Sequence, residues 1–172
     1  LKDIEKRLSL GADKISINTM AVSNPDFIEK AAKEFGSQCI VISIDAKLIG
    51  NEYYAFTDSG RINSNYTVEN LSRKVTDLGA GEILINSIDL DGSGDGYDFQ
   101  LINKVCKSTN IPVIACGGVG DWEDFAEAFD ETNVDAVSAA NIFHYRDQSV
   151  FLANKFLYDN KYNVRKPKIL KI

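Results

Sequence analysis

The order of the predicted elements points to an α/β protein with a parallel sheet and helices outside, about five strand–helix units that fit both a doubly wound open sheet and a (β/α)8 TIM barrel whose N-terminal units are missing. Three observations carry this expectation. Apolar or alternating runs of strand length alternate strictly with stripes of helical spacing. The connections between them are mostly short. No Pro/Ser-rich linker or charge block divides the chain, so residues 1–172 are read as one partial-barrel domain. A doubly wound open sheet shares the alternation. A complete barrel needs roughly 250 residues and eight strands, and five strands in 172 residues have that density. Five units standing alone would leave strand edges and inner side chains uncovered.

Leu1, Ile4 and Leu8 lie at helical spacing and Gly11 stops that helix. The chain opens on Leu1, in what reads as mid-helix, so the natural start is expected to lie upstream. Asp13 to Asn18 alternates as a strand. Asn24-Pro25 starts a helix, with Asn24 as the cap and Pro25 where its missing N–H costs nothing. Its stripe is Phe27, Ile28, Ala31, Ala32 and Phe35. Cys39 to Asp45 is a nearly continuous apolar run, as in a parallel strand buried on both faces. Tyr53–Phe56 suggests a small hairpin strand in a polar stretch. Val68, Leu71, Val75 and Leu78 mark a helix stopped by Gly79. Glu82 to Asp89 reads as a strand leading into DGSGDG, and Asp98 caps the helix of Leu101, Ile102 and Val105. IPVIACGG is the next strand, followed by a helix capped by Asp121. Asp135 to Asn141 is the last strand, before a helix from about Ser149. GADKISIN near the start echoes NVDAVSAAN near the end, about half a barrel away, as if two similar halves made up the barrel.

Composition narrows the function classes. A net charge of −6 argues against a nucleic-acid groove, which needs a basic stripe. No apolar run approaches the ~20 residues of a membrane helix, and no signal peptide opens the chain. Cys39, Cys106 and Cys116 are odd in number and set in apolar runs, so they read as buried thiols in a reducing cytoplasm rather than a disulfide frame or metal site. With His144 the only imidazole, a histidine-rich metal centre is excluded, and no metal or cofactor is expected.

Reactive groups of parallel α/β folds gather where strands end. Those ends hold Ser16, Asn18 and Thr19; Asp45; Asn86, Ser87, Asp89, Asp91 and Gly92; Gly117 and Gly118; Ala140 and Asn141. Successive backbone N–H groups beside glycines can cradle a phosphate, a role that CGGVGDW and SAANIF both fit. Each residue has a plainer reading too. Gly117-Gly118 also suits a tight turn, Asp45 a cap, and Asp89 and Asp91 turn formers. Lys14 within a strand needs a partner for its ammonium, and Glu82 at another strand start would supply one. Cys116 has no base beside it in the pattern, and His144 reads as structural.

GADKISINTMAVSNP, VISIDAK, GAGEILINSIDLDGSGDGYD, IPVIACGGVG and AANIFH together resemble the HisF family, the cyclase subunit of imidazole glycerol phosphate synthase. The resemblance runs through nearly the whole chain and implies a (β/α)8 barrel matched from its third helix onward. It implies a lyase that takes ammonia from a HisH-like glutaminase partner, as a heterodimer, and a bisphosphorylated substrate. The products would be imidazole glycerol phosphate and an aminoimidazole carboxamide ribotide, in cytoplasmic histidine biosynthesis. By motif, Asp45 would be one of two catalytic aspartates and Asp91 a further active-site acid, while the other catalytic aspartate belongs to a first strand not in this sequence. Asn18 and Thr19 would hold one phosphate. Ser87, Gly92, Gly117, Gly118, Ala140 and Asn141 would form the substrate and second phosphate rim. Lys14 and Glu82 would gate the ammonia entrance. With half of the acid–base pair absent, no independent turnover is expected of these residues. Leu90 stands where the family usually has Arg, Asn141 where it has Ser, and Ser64-Asn65 where it has Thr-Gly. These departures resemble a HisF-like branch of surface-polysaccharide gene sets that delivers ammonia for amidation of a sugar.

Overall fold

The structure is a computed structural model that describes residues 1–145 and 149–168. Helix α1 (Lys2–Ser9) leads into the short strand β1 (Ile15–Ile17), then α2 (Thr19–Ser23) and α3 (Asp26–Phe35). The long strand β2 (Ile40–Ile49) runs on into a hairpin, β3 (Glu52–Thr57) and β4 (Ile62–Thr67), before α4 (Val68–Asp77). The units β5 (Glu82–Ser87) with α5 (Phe99–Cys106), β6 (Val113–Cys116) with α6 (Trp122–Glu131), and β7 (Ala136–Val137) with α7 (Ile142–Tyr145) and α8 (Val150–Asp159) complete the order.

The parallel strands pair strictly in sequence, β1 with β2, β2 with β5, β5 with β6 and β6 with β7. Strand order never reverses, as it must in a doubly wound sheet. Burial decides the same way. Across the ladder, Ile17, Ile42, Ile83 and Val113 form one row of register partners, and each is buried. Ile44, Ile85 and Ala115 belong to the same sealed face. The alternate residues Ser16, Ser43, Asp45, Leu84, Asn86, Ile114 and Cys116 lie on the other face and stay partly or fully exposed. A doubly wound sheet would bury both faces. Here helices seal one face and the other is the concave inner wall of a barrel arc, open between β1 and β7. The five parallel strands are the five units expected.

Several elements differ from the sequence expectation. The Cys39–Asp45 run is fully buried on one face only, because in this arc no layer covers the second. The last three strands are shorter than the runs that mark them. β5 ends at Ser87, where the backbone turns so that the Asp91 N–H donates to the Ser87 carbonyl at 2.9 Å. β7 holds only Ala136–Val137, pairing with β6 along one edge. The cap of α3 is not the side chain of Asn24: Pro25 occupies the cap position, and the Asn24 carbonyl accepts from the Phe27 N–H. The caps by Thr67, Asp98, Asp121 and Ser149 are all made by side chains.

The hairpin pairs along the edge of β2 that β1 leaves free past Ile42, starting at Asp45, which opposes Phe56 on that edge and Asn86 on the other. Its base is pinned by the Tyr53 hydroxyl, which donates to both carboxylate oxygens of Asp98 at 2.9 Å while Asp98 caps α5. Burial, with that contact adding to it, holds the Tyr53 phenol well above its usual pKa. Its tip hangs on Thr19, whose hydroxyl accepts from the Asp58 N–H at 3.2 Å. The two-faced sheet has a measurable consequence. Ile42→Ala, on the sealed face, should cost about 2–5 kcal/mol in urea unfolding, and Ile114→Ala, on the open face, clearly less.

Candidate functional site

At the C-terminal ends of the strands, β2 delivers Asp45 to the concave face, between Asn18 from β1 and Asn86 from β5. Asn18 Nδ2 donates to Asp45 Oδ2 at 3.3 Å and to the Ser43 carbonyl at 3.0 Å. Asn86 Nδ2 donates to Asp45 Oδ1 at 3.5 Å. Asp45 is half-buried and its pKa is raised. Burial is the main cause and the Asp91 carboxylate adds to it, against the Asn86 amide, which favours the charged form. The Cys116 thiol, in the next strand of the same row, is also pushed up by burial and by both aspartates. A thiol held protonated is a poor nucleophile.

The glycine turns form the adjacent rim, and their glycines are required by contact as well as by conformation. A Cβ on Gly118 would stand 1.9 Å from the Gly96 carbonyl oxygen, and one on Gly120 would stand 2.3 Å from that of Gly94. The Gly96 N–H donates to the Gly118 carbonyl at 2.9 Å, so DGSGDG and GGVG pack backbone on backbone. Asn141 ties the third loop to this rim, donating through Nδ2 to the Gly92 carbonyl at 3.3 Å. The N-terminus of α6 is already satisfied from within. Asp124 Oδ2 accepts from the N–H groups of Gly120 and Asp121, and Asp121 Oδ1 from that of Trp122. A phosphate here would have to use the amides upstream, around Gly117 to Val119.

At the other end of the strands, Lys14 and Glu82 form an ion pair. The pair links the start of β1 to the start of β5 across the intervening β2, over Val41, whose register partners are Ser16 and Glu82. This explains why Val41, alone on its face, is only 7% exposed. Lys14 precedes β1 rather than lying within it, and its side chain is 46% exposed, so no buried ammonium needs rescuing.

The residues match a family model described as "Histidine biosynthesis protein" over positions 1–149. The chain belongs to the histidine biosynthesis protein family. Its relatives include the "Imidazole glycerol phosphate synthase subunit HisF" of Hydrogenobaculum sp. (strain Y04AAS1), 46% identical over 96% of this chain and 66% of that protein. The proteins of the same name from Clostridium botulinum (strain Okra / Type B1) and Lactococcus lactis subsp. cremoris (strain MG1363) are 43% and 41% identical over 96% of this chain, covering 66% and 64% of their own lengths. The chain thus spans just under two-thirds of the curated relatives it matches. Among the described residues no helix is long and apolar enough to cross a membrane, and no group of three His, Cys, Asp or Glu is placed to hold a metal ion.

The expected site residues form two clusters at the C-terminal strand ends, with Lys14 and Glu82 paired at the other end and Ser87 apart from all of them. Asp45, Asn18, Thr19 and Asp91 come together around one mouth, but Asn18 spends its side-chain amide on Asp45 and Ser43, and Thr19 reaches the hairpin. Gly92, Gly117, Gly118 and Asn141 line the linked turns, with the exposed Ala140 beside them. Ser87 is misplaced in the expectation. It is 2% exposed, with its side chain on the sealed face, because strand alternation gives the open face to its neighbour Asn86. Register was the available signal: Asp45 and Asn86 are paired across β2 and β5, so both point the same way. The cavity of about 680 Å³ lies elsewhere, between β7 and helices α6 and α8, lined by Phe125, Phe129, Val137, Ala153, Leu157 and Tyr162.

Two outcomes follow from this geometry. Gly11 (φ +102°) and Gly118 (φ +104°) share a conformation, but a Cβ on Gly11 would meet nothing within 4 Å. Gly11→Ala should cost about 1–2 kcal/mol and Gly118→Ala at least about 3 kcal/mol, both read by urea unfolding. Because the folded state binds the Asp45 proton more tightly than the unfolded chain, Asp45 contributes stability at low pH that is lost as pH rises from 3.8 through its raised pKa. Asp45→Asn should therefore melt slightly above the parent at pH 7, an advantage that shrinks toward pH 3.

Proposed function

We propose that the full-length protein is the cyclase subunit of an imidazole glycerol phosphate synthase, a lyase that uses ammonia from a glutaminase partner to form imidazole glycerol phosphate and an aminoimidazole carboxamide ribotide. The observation that carries this reading is Asp45, a half-buried carboxyl with a raised pKa, set between two amides at the strand ends beside linked glycine turns. Ring closure requires proton transfer at an imine and a carbonyl. A carboxyl whose pKa moves toward neutrality both accepts and returns a proton more readily than an ordinary aspartate. Asp91 keeps that carboxyl's proton affinity high, a supporting electrostatic role.

The anionic ends of a bisphosphorylated substrate suit the amides around Gly117 to Val119 on one side and the Thr19 hydroxyl on the other. The Lys14–Glu82 pair, at the opposite end of the strands, sits where ammonia from a docked glutaminase would enter the arc, and a mobile ion pair there serves as its gate. The family match and the identity to proteins named as this synthase subunit support the reading. Such a protein works in the cytoplasm as a heterodimer with its glutaminase.

Complementation of a cyclase-deficient histidine auxotroph tests it. The full-length gene should restore growth and its Asp45→Asn variant should not. Failure of the parent gene would overturn the proposal.

A further inference from the structure

The carboxyl group of Asp45 is held by two amides of unequal freedom. The Asn18 amide lies at the start of a loop and also serves the Ser43 carbonyl. The Asn86 amide is confined inside the ladder. Its Oδ1 is sealed from solvent with no hydrogen-bond partner, and it lies 2.7 Å from where a Cβ on Gly117 would stand. The Ser87 carbonyl crowds the same spot, at 2.9 Å. An asparagine therefore fills space that glycine alone leaves open at position 117, and it leaves an acceptor buried and unpaired. Such an orphaned acceptor destabilises a fold, and packing alone gives no reason to retain an amide there. What the arrangement does secure is its other end, the Nδ2 that faces Asp45 Oδ1.

We propose that Asn86 is the positioning residue of Asp45, its wedged amide fixing the plane of the carboxyl group on the open face of the sheet. The proposal rests on reading Asp45 as the acid–base group, and names a residue that the sequence motifs did not assign. Four groups face this carboxyl: Asn18 from the β1 end, Asn86 from β5, Asp91 from the loop after β5, and the Cys116 thiol from β6. Burial and Asp91 favour its protonated form and the Asn86 amide opposes them, so Asn86 keeps the carboxyl able to part with the proton it takes up.

The full-length protein labelled with 13C at aspartate carboxyl carbons reads this directly. Asn86→Ala should move the Asp45 titration to higher pH by about half to one unit. Asn86→Asp, nearly isosteric, should make the two carboxyls titrate as a coupled pair in two steps. An Asp45 titration unmoved in Asn86→Ala, or independent of the new carboxyl in Asn86→Asp, would overturn the assignment. A residue that merely supports the fold would lower the melting temperature of Asn86→Ala without moving that curve. In the full-length protein, Asn86→Ala should displace the pH–rate profile in the same direction and lower kcat about tenfold, with KM little changed. Complementation that survives Asp45→Asn while the titration shift persists would remove the functional reading and leave the pairing intact.

Discussion

The period-two alternation of a parallel strand is the constraint on which everything at this site depends. A strand presents successive side chains to opposite faces, and in this arc only one face is closed by helices. Isoleucine, valine and alanine fill the sealed face in continuous rows, Ile42 beside Ile83 beside Val113. That frees the intervening positions from the demands of a dry core. Ser43, Asp45, Asn86 and Cys116 can occupy the same strands without a burial cost that would unfold them. A shift of one residue in the pairing of β2 with β5 would send Asp45 into the helices and bring Ile44 to the mouth. The fully buried isoleucines on the sealed face make that slip prohibitive, so the hydrophobic face fixes the position of the polar one.

A second constraint acts on the rim, and it is steric. DGSGDG and GGVG meet through bare backbone, with Gly96 against Gly118 and Gly94 against Gly120 at distances no side chain could tolerate. Both readings of these glycines, as tight turns and as a cradle, thus draw on one feature. Removing side chains lets two loops interlock, and interlocked loops hold their remaining amides in fixed directions. The capping box of Asp121 and Asp124 occupies the amides nearest α6. An anion at this turn would have to use the amides upstream of the box, around Gly117 to Val119.

The fold was legible because its signals are local and redundant. Helix stripes, caps at Asp98 and Asp121, and five strand-length runs in strict alternation each pointed to a parallel sheet with helices outside, and the pairing of strands in sequence order is what selects the barrel over a doubly wound sheet. Strand lengths were less legible. Val113–Cys116 and Ala136–Val137 are shorter than their apolar runs, since hydropathy does not record where a ladder ends. The site was legible only in part. Asp45 and the glycine turns stand out as exceptions to an apolar pattern. Ser87 and Asn86 are adjacent and both polar, and only register distinguishes the one facing the core from the one facing Asp45. Lys14 read as a buried cation because strand ends blur in sequence. Its ion pair with Glu82 was inferred correctly even so, from charge and position at two strand starts.

The burial of Asp45 and the wedging of Asn86 share one logic. Each is unfavourable for the folded chain taken alone: a carboxyl held away from water, and an acceptor with no donor. Replacing either with a packed apolar residue would remove that cost, as Ile44 and Ile85 do on the sealed face. Their persistence side by side, in one register row and at the strand ends where ligands meet parallel sheets, points to a requirement outside folding. Rows of fully buried isoleucine and valine on the sealed face supply the hydrophobic stabilisation against which the half-buried carboxyl of Asp45 and the unpaired acceptor of Asn86 are carried in adjacent strands.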